Sequence, residues 1–143
     1  MYRLLLIAAT LATGALFAGG NASAARATAK PPISFLASQA DTGRLTYYAK
    51  CAMCHGANLE GISAPALKGK DANLQSLTVS YVYKYTIVQM PVGNAGGLSS
   101  KEYVNLVAFL LRSNGRHAGT TALTPATLSK DNSKIGGSDS KPT

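Results

Sequence analysis

The sequence predicts a small helical domain, and three observations carry that expectation. Tyr103, Leu106, Val107 and Leu110 form an i, i+3, i+4, i+7 stripe behind Ser99 and Ser100, the pattern of one apolar helix face. Leu45, Tyr48, Ala49 and Ala52 recur at helical spacing behind Asp41. The chain has 143 residues, 46% hydrophobic and 14% charged, which suits one domain and excludes wholesale disorder.

The first residues read as an address. Met1-Tyr2-Arg3 is a short positive start, and Leu4 to Ala18 is a mostly apolar run. It fits the core of a signal peptide and falls short of the ~20 residues a spanning helix needs. Ala22-Ser23-Ala24 is an A-x-A cleavage site, so residues 1–24 are expected to be a signal peptide cut before Ala25. An uncleaved N-terminal anchor is the alternative. Either way the remainder is exported, and a periplasmic location is expected. Residues 25–38 hold the adjacent prolines Pro31 and Pro32 without clear periodicity and read as a leader or linker.

The compact domain is expected over 39–115. Asp41 could cap a helix over Thr42–Cys54, and Ser99 or Ser100 one through Leu111, with Glu102 in its first turn. Asn114-Gly115 supplies a helix stop. The segment Thr78–Gln89 is ambiguous. Val79, Tyr81, Tyr83 and Tyr85 alternate as in a strand, whereas Val79, Val82, Tyr83, Thr86 and Ile87 fit a helix face, and periodicity alone does not decide between them. Residues 116–143, rich in Thr, Ser, Lys and Gly, read as a polar tail, draped on the surface or disordered.

A domain of about 75 residues has a marginal core unless something else supports it. Two cysteines exclude a multi-disulfide scaffold and a four-cysteine zinc site. They lie in Cys51-Ala52-Met53-Cys54-His55, and C-x-x-C-H is the attachment signature of haem c. Two thiols add across the two vinyl groups of one porphyrin, and the following imidazole meets the iron from the proximal side. The bound group also supplies the missing apolar core. A thioredoxin-like thiol pair would need a βαβ pattern that the chain lacks. A disulfide across so short a loop stabilises little. Zinc would have to recruit His55 and His117 at a spacing that fits no common finger.

Electron-transfer haems take His plus Met or two His. Met53 lies between the cysteines and cannot reach the opposite haem face. Met90, at the start of an irregular Met-Pro-Val-Gly run, is therefore the expected second ligand. His117 and an open distal position are the alternatives.

With these features in place the chain resembles the class I cytochrome c family over roughly Asp41 to Asn114. Gly43 and Tyr47 match the glycine and aromatic residue eight and four positions before the first thioether cysteine. Leu106 and Phe109 match the paired residues of the last helix. The resemblance implies an all-α fold in which the N- and C-terminal helices cross, with Gly43 allowing close approach, and loops wrap one covalent haem c. It makes Thr78–Gln89 a helix. The run Gly61 to Leu67 resembles the loop beneath the haem. Pro65 and Leu67 are thereby cofactor-binding, and the Pro65 carbonyl accepts the His55 ring N–H. The metal ligands implied are His55 and Met90. The Met-Pro-Val-Gly run and the Asn114-Gly115 ending resemble cytochromes serving quinone-dependent dehydrogenases.

The implied function is single-electron shuttling between a dehydrogenase or respiratory donor and a terminal acceptor such as an oxidase, without catalysis by the chain itself. A haem enzyme or a gas or redox sensor with a labile distal ligand is the alternative reading. The formal charge of +8, which becomes 13 − 6 = +7 once residues 1–24 with Arg3 are removed, would steer docking to acidic patches on redox partners, with Lys68, Lys70, Lys84 and Lys101 near the functional segments. Export and the lack of a recognition motif argue against nucleic acid. Membrane association requires an uncleaved N-terminal segment.

Overall fold

A computed structural model of the chain describes residues 33–69 and 72–137. The expected signal peptide 1–24, the leader up to Pro32, and Lys70 lie outside the described residues. Regular structure among the described residues is helical: α1 (Ala37–Lys50), α2 (Ala52–His55), α3 (Val79–Gln89), α4 (Ser100–Ser113) and α5 (Pro125–Leu128), with a 3-10 turn at Asn73–Ser76. There is no β-strand among them, only an isolated antiparallel bridge between Thr78 and Lys134. The all-α expectation holds.

The central helix is α4. Ser99 accepts the Glu102 N–H through its hydroxyl at 3.3 Å, and the Glu102 carboxylate accepts the Ser99 N–H at 2.7 Å. This reciprocal capping box satisfies two otherwise orphaned donors. The hydrogen bonds from Ser99 hold the Glu102 carboxyl below its ordinary pKa. At the other end Asn114 caps the helix and Gly115 takes φ +92°, a conformation that favours glycine. Every residue from Tyr103 to Leu111 is buried, so α4 is enclosed by its neighbours.

α1 forms the largest helix–helix contact, against α4. It begins at Ala37 rather than Thr42, and Asp41 does not cap it. Gln39 supports the start instead, accepting the Leu36 N–H at 3.1 Å. Asp41 lies inside the helix and pairs with Arg112 of α4 at 2.8 Å. Exposed pairs of this kind contribute little. The buried face also differs from the expected stripe. Ala40, Gly43 and Tyr47 are buried, while Leu45 is 64% exposed and Tyr48 is 47% exposed. The reason is steric. A Cβ at Gly43 would lie 1.8 Å from the Asn105 carbonyl oxygen, so the helices meet backbone to backbone where small residues stand. The largest side chains of α1 therefore do not mark its packed face.

α3 settles the strand-or-helix ambiguity as a helix. Its buried positions are Val79, Ser80, Val82, Tyr83 and Thr86, at helical spacing. Tyr81 and Tyr85 stack on its solvent side at 5.8 Å between ring centroids. The strand-like alternation came from aromatic residues lying on both sides of this helix.

The packed core exceeds the expected limits of 39–115 at both ends. Ile33 and Phe35, in the segment read as a leader, are buried. Residues 116–137 contribute Leu123, Leu128 and Ile135 to the same core, which is more than a draped or disordered tail does. Gln39 ties the segment to α1, donating to the Leu123 carbonyl at 2.9 Å and accepting its N–H at 2.8 Å. Thr124 caps α5 and Pro125 opens it, a position where proline's missing N–H costs nothing. Leu128 is fully buried, so Leu128→Ala is expected to lower unfolding free energy by about 2–5 kcal/mol. Denaturant unfolding measures this, and an unchanged midpoint would contradict the packing. No helix among the described residues is long and apolar enough to cross a membrane.

Candidate haem-binding site

The site is built on the break between α1 and α2. Cys51 leaves helical geometry at φ −127°, ψ −34°, and its carbonyl accepts the N–H groups of Cys54 at 3.1 Å and His55 at 2.9 Å. The two thiols therefore stand one turn apart. Both are free and half-buried. Burial, with a smaller contribution from the neighbouring Cys54, pushes the Cys51 thiol up to about 11. A thiol so rarely ionised at neutral pH is a poor attacking group, which weighs against thiol–disulfide exchange. Among the described residues no group of three or more His, Cys, Asp or Glu side chains is placed to hold a metal ion.

His55 closes α2 and is buried. Its Nδ1 lies 2.8 Å from the Pro65 carbonyl oxygen. A carbonyl only accepts, so Nδ1 carries a proton, and in the neutral ring it is Nε2 that offers a lone pair to another partner. The loop that delivers Pro65 follows from the backbone. The Cys54 carbonyl accepts three successive N–H groups, from Ile62, Ser63 and Ala64, at 3.0–3.1 Å. Gly61 donates to the His55 carbonyl at 2.8 Å, and Leu67 to the Leu59 carbonyl at 2.8 Å. Gly61 takes φ +81°, and a Cβ there would lie 2.8 Å from the Ala66 nitrogen. Only glycine fits so tight a return. Leu67 packs on the core, and its carbonyl accepts from the Asn114 side chain at 2.9 Å.

Cys51, Cys54, His55, Pro65 and Leu67 thus form one hydrogen-bonded unit. Met90 belongs to another part of the chain, at the C-terminal cap of α3. Its N–H donates to the Thr86 carbonyl at 3.0 Å, and its carbonyl accepts from the Tyr103 hydroxyl at 2.8 Å. His117 is exposed, in the turn after α4.

Two tyrosines hold the site in ways the sequence reading did not assign. Tyr103 stands on the apolar stripe of α4, and Tyr47 is the aromatic residue four positions before Cys51. Tyr47 packs its ring on Phe109 at 5.2 Å between centroids, and its hydroxyl donates to the Gly56 carbonyl at 2.5 Å. Burial, chiefly, pushes the Tyr47 hydroxyl's pKa up, which keeps it a donor. The available signal was chemical: a tyrosine on an apolar stripe must find its hydroxyl a partner when buried. Tyr47→Phe removes one of two hydrogen bonds to the buried Gly56 carbonyl, which keeps the Leu59 N–H at 3.2 Å, and is expected to cost about 0.5–1.5 kcal/mol. Thermal unfolding of the holoprotein reads the loss, and an unchanged Tm would contradict the assignment.

The donor set fits a covalently held haem: two thiols one helical turn apart, followed at once by an imidazole whose Nε2 is left free by a fixed Nδ1 bond. The fold and this site define a class I c-type cytochrome with one haem. Residues 38–110 match the family described as cytochrome c oxidase, cbb3-type, subunit III. The match covers more than half of the chain, and the chain belongs to that family. It is also similar to a chain in the crystal structure of the sulfane dehydrogenase SoxCD from Paracoccus pantotrophus. The identity is 33% and the TM-score 0.55, over 64% of this chain and 51% of that one. This chain therefore matches about half the length of that relative. No curated protein matches it. The chain carries a class I cytochrome c domain with the attachment motif for haem c.

Proposed function

We propose that the chain is an exported, mono-haem electron carrier working between a dehydrogenase and a terminal acceptor. The observation that carries this reading is the 2.8 Å bond from His55 Nδ1 to the Pro65 carbonyl. A histidine that ligates a metal donates its other ring N–H to such a partner, which fixes the ring and raises its basicity. Bound here, a haem supplies an iron centre that takes up and returns one electron.

The chain's own residues do the rest. Cys51 and Cys54 hold the group covalently, which keeps it in place outside the cytoplasm. Pro65 orients His55, and Leu67 packs in the same loop. Met90 offers its thioether as second ligand, and a Met/His pair raises the potential. Were His55 and Met90 both to hold the iron, a substrate would find no free position on it, which favours carrier over enzyme. Lys68, Lys84 and Lys101 are exposed and, with the chain's positive charge, would steer it towards acidic partner surfaces. The likeness to a chain of a sulfane dehydrogenase structure supports a dehydrogenase as donor. Residues 1–24 support export to the periplasm.

A potentiometric titration of the periplasmic fraction, followed in the visible spectrum, tests the proposal. The expected result is one transition with a one-electron slope, carried by protein that begins at Ala25. A cytoplasmic or membrane-bound product would overturn the location. Turnover of peroxide or another substrate at the haem would overturn the carrier role.

A further inference from the structure

The segment after α4 has a second connection, to the start of α3. The first four N–H groups of a helix have no partner within it. In α3 the Val82 N–H makes the first intrahelical bond, to the Thr78 carbonyl at 3.0 Å, and the Tyr81 N–H ahead of it finds the Thr78 hydroxyl at 3.2 Å. The N–H groups of Val79 and Ser80 are satisfied from more than fifty residues away. Val79 donates to the Ser133 carbonyl and Ser80 to the Asp131 carbonyl, each at 2.9 Å. The pairing continues on either side of these bonds. Ile135 donates to the Leu77 carbonyl at 3.0 Å and Gly136 to the Gln75 carbonyl at 3.2 Å, and Thr78 bridges Lys134. The Ile135 side chain, fully buried in the core, anchors this stretch. At the opposite end of α3, Tyr103 holds the Met90 carbonyl. The helix that carries Met90 is therefore fastened at both ends, once by α4 and once by residues 131–136.

We propose that residues 131–136 are a strap that holds α3, and through it Met90, in place, with Ile135 as its positioning residue. This rests on Met90 being the second haem ligand. α3 is short, and isolated helices of its length are marginal in water. Without the strap, two buried N–H groups at its start lose their partners and the local opening of α3 becomes cheaper. Each opening frees the Met90 side chain to leave its position. The strap thus sets how often the distal face is exposed to an external ligand, and it assigns a role to part of the segment that composition marks as tail.

The test compares Ile135→Ala with Leu123→Ala in the exported holoprotein. Both remove a buried aliphatic side chain of the same segment, but Leu123 is tied to Gln39 of α1. Two readouts are taken: amide hydrogen exchange across Val79–Met90, and the rate at which carbon monoxide binds the reduced protein. For Ile135→Ala both are expected to rise on the order of tenfold, the share of a buried Ile-to-Ala loss that falls on one local opening. For Leu123→Ala neither is expected to change. Unchanged exchange in Ile135→Ala, or equal acceleration in both variants, would overturn the strap. Should Ile135→Ala not accumulate, Ile135→Val removes one methyl group and carries the same comparison with a smaller expected rise. Fast carbon monoxide binding by the wild-type protein would refute the Met90 ligation, and with it the strap's effect on the distal face. The exchange data would still decide whether the strap holds α3.

Discussion

Met90→Ala is expected to leave the fold standing and remove the distal ligand. Both bonds that hold residue 90 use its backbone: the N–H donates to Thr86 and the carbonyl accepts from Tyr103. Alanine keeps both. Residue 90 caps α3 in an extended conformation, φ −126°, ψ 149°, which alanine adopts without strain. The change therefore falls on the thioether alone. The oxidised protein should lose its weak Met-to-iron absorption band, and the reduced protein should bind carbon monoxide rapidly. The potential should fall, within the roughly 0.8 V range that axial ligands govern. A retained band would show that a thioether other than that of Met90 ligates the iron, and a wild-type protein without the band would point to another side chain, His117 for example.

Gly43→Ala is expected to be the most destabilising of the single methyl additions. The new Cβ would lie 1.8 Å from the Asn105 carbonyl oxygen, 2.4 Å from its carbon and 2.9 Å from the Leu106 nitrogen. These are main-chain atoms of α4 and have no rotamer to change. Ordinary carbon–oxygen contacts begin near ~3.3 Å, so the two helices must separate by more than an ångström. That gap would open beside Tyr47, Leu106 and Phe109, all buried. Overpacking costs about 1–3 kcal/mol where side chains can adjust, and a backbone clash should reach about 3 kcal/mol or more. Leu45→Ala on the same helix, at a 64% exposed position, should stay within about 0.5 kcal/mol. Equilibrium unfolding of the two holoproteins tests the contrast. Equal losses would place the packed face of α1 where its larger side chains stand.

That contrast shows what kind of information a sequence carries. α4 was legible because its determinants are local: a Ser-x-x-Glu cap, an apolar stripe and an Asn-Gly stop. The Cys51-to-His55 motif was legible for the same reason, since its chemistry fits within five residues. α1 was only partly legible. Its start depends on Gln39 bonding to Leu36 and Leu123, and its packed face depends on a missing side chain, which a hydrophobic pattern scores as nothing. The His55–Pro65 contact came from family resemblance, because no spacing rule foretells which carbonyl a folded loop presents. Composition marks residues 116–137 as tail because their burial rests on three aliphatic residues, Leu123, Leu128 and Ile135, at no regular period. Their bonds to the start of α3 use main-chain atoms, which composition does not reveal.

The most direct test of the account is the visible spectrum of the protein exported from a host competent in cytochrome c maturation. Oxidised and reduced forms are recorded with and without carbon monoxide, and the haem is challenged by acid–acetone extraction. The account predicts haem that resists extraction, sharp reduced bands, a weak Met-to-ferric-iron band, and slow or absent carbon monoxide binding. Extractable haem, or none, would contradict attachment through Cys51 and Cys54. Rapid carbon monoxide binding by the wild-type protein would contradict the His55/Met90 pair and favour a haem enzyme or gas sensor with an open distal face.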